Sequence, residues 1–214
     1  MNTDKIIQFQ GQILLFWEQQ GRNYLPWRQT TDPWKILIAE ILLRKTTSSQ
    51  VSRVYSKLEN LTPKDIVSLD SSQLEYILMP LGMNRVRAEQ LKVIAATTVN
   101  ASFEDYQSDE FLRSMPGIGR YISNSVRCCA FGIPAPALDA NMIRIIQRVF
   151  DWQPTRKRAR EDKALWDFAE SLVPCERCKE YNWGVLDFGS AICIARKPKC
   201  SLCSIQQICY FHQE

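Results

Sequence analysis

The sequence predicts an all-α fold on three observations. Apolar residues recur at helical spacing almost throughout, as in Ile6, Phe9, Ile13, Phe16 and Trp17, and again in Trp34, Leu37, Ile38, Ile41 and Leu42. No run alternates apolar and polar residues as a half-buried strand would. Helix punctuation is legible: Asp32-Pro33 offers a capping side chain and then a proline at the first helical position, and Gly132 follows Phe131 where a helix should stop. The expectation is about ten short helices.

Composition narrows the class. A chain of 214 residues, 45% hydrophobic and 23% charged, has enough apolar content for one core or two closely packed lobes, so disorder is not the default. The first residues lack the basic-then-apolar pattern of a signal peptide, and no apolar run approaches the roughly 20 residues that span a bilayer. An intracellular protein without a membrane partner is expected. In a reducing compartment eight cysteines point to metal rather than disulfides. A formal charge of +4 is compatible with a polyanionic partner but too small to establish one. The single histidine, His212, lies at the end of the chain, which excludes a multi-histidine metal site and a histidine-dependent nucleophile.

Taken in chain order, the first element of interest is Ala39-Glu40-Ile41-Leu42-Leu43-Arg44, preceded by Leu25-Pro26-Trp27-Arg28. Glu40 stands among Ile36, Ile38, Ile41, Leu42 and Leu43, where desolvation would favour its protonated form; on an amphipathic helix it would instead face solvent. Met83 precedes the helical pattern of Arg85 to Leu91. Gly117-Ile118-Gly119 then separates two helical patterns. Glycines there permit a tight turn whose amides lie at a helix N-terminus and suit a phosphate, although any helix-helix turn can use this pair. Asp139 comes 20 residues after Gly119 and opens, with Ala140 and Asn141, the pattern Met142 to Phe150. Its simplest role is an N-cap. The charged stretch Arg156 to Lys163 reads as a solvated helix face.

Cys193, Cys200, Cys203 and Cys209 read C-x6-C-x2-C-x5-C, four thiolates within 17 residues that can enclose a cluster. Pairing Cys175 and Cys178 with Cys200 and Cys203 as a zinc ribbon is the competing reading, and it leaves Cys193 and Cys209 unused. Between the first two cysteines lie Arg196, Lys197 and Lys199, a tethered basic loop suited to phosphate contacts, or simply solvated.

The cysteine spacing, the hairpin and the aspartate stand in the order and at the spacing of the helix-hairpin-helix DNA glycosylase superfamily of endonuclease III and adenine glycosylase, and the resemblance covers nearly the whole chain. It implies a two-lobed all-α fold in a single glycosylase domain. Residues 30–135 would form the helix-hairpin-helix lobe, residues 1–29 with 136–192 the second, and residues 193–209 the loop of a 4Fe-4S cluster. It further implies that Asp139, Glu40, Tyr121 and Asn141 form the catalytic set. Arg44 and Met83 would enter the duplex beside a flipped base, with Gly117, Ile118, Gly119, Arg196, Lys197 and Lys199 on the DNA backbone. The implied partner is double-stranded DNA carrying a mismatched or damaged base, bound by a monomer in a DNA-associated setting.

The branch turns on Tyr121, where endonuclease III enzymes carry the lysine that forms a Schiff base. Tyrosine cannot, which implies a monofunctional hydrolase. The string Glu-Ile-Leu-Leu-Arg-x-Thr-Thr at Glu40 to Thr47 resembles the archaeal thymine mismatch glycosylases, which carry tyrosine at the Tyr121 position. Adenine glycosylases carry serine there and usually add a C-terminal domain, whereas this chain stops five residues after its last cluster cysteine. Thymine or uracil opposite guanine is thus expected over adenine opposite 8-oxoguanine or guanine. A non-catalytic iron-sulfur DNA-binding protein would need neither Glu40 nor Asp139.

Overall fold

The computed structural model describes residues 3–156 and 158–213, and in them it contains thirteen α-helices, short 3-10 turns and no strand. In chain order these are α1 (Thr3–Gln20), α2 (Pro33–Leu42), α3 (Ser48–Tyr55), α4 (Pro63–Ser68), α5 (Ser71–Leu78), α6 (Asn84–Thr98), α7 (Phe103–Gln107), α8 (Asp109–Ser114), α9 (Arg120–Phe131), α10 (Ala140–Phe150), α11 (Lys163–Ser171), α12 (Cys178–Ala191) and α13 (Tyr210–Gln213). Among the described residues no helix is long and apolar enough to cross a membrane.

The chain divides into two compact units, residues 23–131 and a discontinuous one of residues 1–22 with 132–214. In the first, α2 is the central element. Asp32 caps it by accepting from the Trp34 and Lys35 amides, Pro33 occupies the first turn, and every α2 residue except Lys35 is buried. It packs on α9, while α4 and α5 pack on α6. Short helices survive here because each is capped: Thr62 with Asp65 and Ser102 with Asp105 form reciprocal boxes, and Ser108 caps α8. Gly132 ends α9 at φ 68°, a left-handed value glycine adopts freely.

In the discontinuous unit α1 packs on α12. Phe9, Ile13, Phe16 and Trp17 form its buried stripe, each such burial stabilising by roughly 1.5–3 kcal/mol. Phe16 meets Phe188 edge-on at 5.2 Å and Trp17 lies 5.5 Å from Trp183. Just past α1, Arg22 closes a two-pronged pair on the buried Asp187, with Nε to Oδ1 at 2.8 Å and Nη2 to Oδ1 at 2.5 Å.

The charged stretch Arg156 to Lys163 is not the helix face its composition suggests. Residues 151–156 lack helix, a single 3-10 turn spans Ala159–Glu161, and α11 begins only at Lys163; Lys157 lies outside the described residues. Asp162 explains the delay. It is 1% exposed, accepts from the Thr155 amide and hydroxyl with one oxygen and caps α11 with the other, so the chain must loop back to it before a helix can start.

Candidate active site and cluster loop

Asp139 is the N-cap of α10, in extended conformation. Its Oδ1 accepts from the amides of Asn141 and Met142, both at 2.8 Å, and its Oδ2 from the Asn141 Nδ2 at 2.7 Å. Burial pushes the carboxyl above the usual range; these three bonds and the nearby Arg144 charge oppose the shift without cancelling it. The result is an anion fixed in orientation and short of solvation. Capping and catalysis, which compete in the sequence, are compatible because the cap bonds are what aim the group.

Asn141 is itself held. Its Oδ1 accepts from Arg144 Nη2 at 2.8 Å, and the same guanidinium donates to the carbonyls of Gly189 at 2.7 Å and Cys193 at 2.8 Å. Gly189 lets α12 come this close, since a Cβ there would stand 2.6 Å from the Asn141 Cβ. A chain of hydrogen bonds therefore runs from Asp139 through Asn141 and Arg144 to the backbone of the first cysteine of the loop.

Cys193, Cys200, Cys203 and Cys209 line one pocket, closed by Val149, Ile192, Ile205 and Phe211. Arg148 donates to the Cys193 sulfur at 3.4 Å and to the carbonyls of Ile194 and Ala195 at 2.8 and 2.9 Å. Burial and the other three cysteines push the Cys203 thiol up to about 11. Four sulfurs lining one space make a donor set that fits a cationic iron group. Among the described residues no three metal-ligating side chains are spaced for a single ion. Cys175 is exposed, Cys178 is buried at the start of α12, and neither lines the pocket, so the zinc ribbon has no support. Arg196, Lys197 and Lys199 are exposed together on the loop, with Lys197 at φ 52°.

In the unit of residues 23–131, Glu40 is only 7% exposed, and its Oε1 accepts from the Ser125 hydroxyl of α9 at 2.5 Å. A solvent-facing role is excluded. Tyr121 lies half-buried one turn before Ser125, and residues four apart share a helix face. In the hairpin, Gly117 has φ 74° and is exposed, as is Gly119. Ile118 between them is 5% exposed with its side chain toward the core, and its amide bonds the Met115 carbonyl at 3.2 Å. It anchors the turn from the core side.

Arg44 is exposed and reaches Gln90 Oε1 at 3.2 Å, while Gln90 donates to the Pro116 carbonyl at 2.7 Å. Met83, 57% exposed, is the N-cap of α6 in left-handed conformation at φ 51°. A large apolar side chain carried outward on a residue that sterics disfavour is an outlier of the kind that gathers at functional sites.

The sequence reading missed Ser125, Arg144, Arg148 and Gly189. All four make contacts 45 to 85 positions away, a distance no local pattern reports, although Arg144 also holds Asn141 only three residues back. The one available signal was Gly189 inside an otherwise helical run, where glycine costs helix stability and therefore asks for a reason.

Comparison with known proteins agrees with this geometry. Residues 38–171 match the model of the HhH-GPD superfamily base excision DNA repair proteins, and residues 193–209 that of the iron-sulfur binding domain of endonuclease III. The loop holds a 4Fe-4S cluster. A thymine/uracil-DNA glycosylase of Pyrobaculum aerophilum is 41% identical over 97% of this chain and 93% of its own length. One from Methanothermobacter thermautotrophicus is 37% identical over 96% and 94%. A solved thermostable thymine-DNA glycosylase superposes with a TM-score of 0.90 at 36% identity, covering 98% of this chain and 97% of that one. With a family match across more than half its length and relatives of this identity along nearly all of it, the chain belongs to the HhH-GPD superfamily of base excision DNA repair proteins.

Proposed function

We propose that this protein is a monofunctional DNA glycosylase that hydrolyses the N-glycosidic bond of thymine or uracil mispaired with guanine, acting as a monomer on double-stranded DNA. The observation that carries the reading is Tyr121 in place of a Schiff-base lysine, in a chain about 40% identical end to end to thymine/uracil-DNA glycosylases. The target nucleotide must leave the stack for its bond to be reached. Arg44 and Met83 fill the space it leaves, and Gly117, Gly119, Arg196, Lys197 and Lys199 hold the backbone without reading sequence.

Bond cleavage builds positive charge on the deoxyribose. Asp139, its orientation set by three hydrogen bonds, supplies the opposing anion in a poorly solvated position, where its field is stronger than in water. Asn141 keeps it aimed. Glu40, buried and held by Ser125, gives a proton to the departing base as an acid and, once ionised, takes one from the water that attacks the sugar. Tyr121 packs against the flipped pyrimidine. When bound, the 4Fe-4S cluster gathers four thiolates and so fixes the loop that carries the three cations.

A panel of duplexes bearing G·T, G·U, A·8-oxoguanine, A·G and oxidised pyrimidines tests this with saturating enzyme in single turnover. Excision of T or U opposite G without borohydride-trappable complexes is expected, and Tyr121→Lys should introduce trapping. Preferential release of adenine would replace this reading with the adenine branch.

A further inference from the structure

Arg87 on α6 is 5% exposed, and its guanidinium makes bonds of one kind only. Nε donates to the Gly82 carbonyl at 3.0 Å, Nη1 to those of Ile41 at 3.2 Å and Leu42 at 3.4 Å, and Nη2 to that of Arg44 at 2.7 Å. No carboxylate pairs with it among the described residues. Burying a cation without a counter-charge is costly, and the nearby Arg44 charge adds to the cost. A helix C-terminus attracts a cation, so the end of α2 accounts for part of the offset. It does not account for the Gly82 bond, which lies on a different segment.

The two segments have something in common. Each delivers an exposed side chain from a strained turn: Arg44 precedes Lys45 at φ 58°, and Gly82 at φ 71° precedes Met83 at φ 51°. Only a planar fork reaches both at once; a lysine ammonium on the same stem satisfies one side. One turn along α6, Gln90 repeats the arrangement from outside, taking Arg44 Nη1 and giving to the Pro116 carbonyl of the hairpin.

The geometry points to Arg87, with Gln90 behind it, as a positioning residue that locks the Arg44 loop, the Met83 turn and the hairpin into one rigid reading head, so that duplex entry at both points occurs together. The inference rests on the assignment of Arg44 and Met83 as the residues that enter the duplex. It makes α6 the part on which base extrusion depends, although the guanidinium of Arg87 touches no DNA.

The test is a mutant cycle read by a 2-aminopurine placed beside the target in a G·U duplex, which brightens when stacking is lost, together with melting temperature and affinity for matched duplex. Arg87→Lys should reduce extrusion roughly 10- to 100-fold, the scale on which small displacements act, while phosphate-driven affinity for matched DNA changes less than about 3-fold. In an Arg44→Ala/Met83→Ala background the same change should have no further effect, because residues that act through one another are non-additive. An equal loss in both backgrounds, or wild-type extrusion with Arg87→Lys, overturns the inference. Wild-type extrusion in the Arg44→Ala/Met83→Ala protein itself removes the duplex-entry assignment and the inference with it. Brightening on matched DNA equal to that on G·U counts instead against the proposed substrate. Should Arg87→Lys fail to fold, the half-exposed Gln90 decides: Gln90→Ala should lower extrusion by a smaller factor that vanishes in Arg44→Ala, and an undiminished factor there overturns the proposal.

Discussion

Arg87 in one unit and the pair Arg144 and Arg148 in the other use the guanidinium fork to different ends. In residues 23–131 the Arg87 fork binds neutral carbonyls and thereby fixes the shape of loops. In the discontinuous unit Arg144 and Arg148 also grip carbonyls, but each has a further prong on a polar chain that ends in an anion: Arg144 on Asn141, which holds Asp139, and Arg148 on the Cys193 sulfur. One set places surfaces and the other places charge. The contrast implies that loss of Arg87 shows in duplex distortion, and loss of Arg144 or Arg148 shows in the chemical step or in the cluster.

The largest effect is expected at Asp139. Asp139→Asn keeps the shape and the two backbone-amide bonds to Oδ1 but gives up the Asn141 Nδ2 bond and deletes the charge, so single-turnover excision should fall about 10²-fold or more, with DNA binding retained. Because burial raises this carboxyl above 3.8, wild-type rates should climb with pH through a range above that of an ordinary aspartate. The sign for stability is opposite. A raised acid pKa contributes stability present below the unfolded value and lost as pH rises through the folded one, so Asp139→Asn should melt no lower than wild type at neutral pH. A rate within a few-fold of wild type would reduce Asp139 to a helix cap and dissolve the distinction between the two units.

Next comes the cluster. Cys200→Ala should abolish visible iron-sulfur absorbance and weaken DNA binding on the order of 10-fold at moderate salt through loss of the basic loop, whereas Cys178→Ala should retain the colour. Stoichiometric zinc without iron in anaerobically purified protein would overturn the assignment. Gly189→Ala sharpens the comparison, since it displaces Asn141 and should cost about 10-fold in rate while leaving both the cluster absorbance and 2-aminopurine extrusion intact. The smallest effect is at Tyr181. Its buried hydroxyl has no hydrogen-bond partner among the described residues, so Tyr181→Phe should be neutral or stabilise by up to about 1 kcal/mol in urea melts.

Much of this was legible in the sequence because its signals are local or are fixed spacings. The Asp32-Pro33 cap, the Gly132 stop, the hairpin glycines and the four cysteines each specify a conformation or a donor set within a few residues. The helix number fell short because α4, α7 and α8 have only five or six residues, too few for periodicity to register, and owe their existence to caps. The 156–163 stretch misled because composition reports solvation but not the buried Asp162 around which the chain folds. Arginine offers no local cue either. Arg87 and Arg85 look alike in sequence, yet one is buried under the α2 terminus and the other lies at the surface in an i,i+4 pair with Glu89.

The discontinuous unit has a consequence for synthesis. The α1 stripe of Phe9, Ile13, Phe16 and Trp17 is covered by α12, which begins at Cys178, and at about 5–20 residues per second a ribosome needs roughly 10–30 seconds to bridge that interval. Residues 23–131 emerge complete during the wait, while the apolar stripe of the first helix awaits α12. Arg22 then pairs with Asp187 only after most of the chain has been made, so the molecule is fastened last at its two ends.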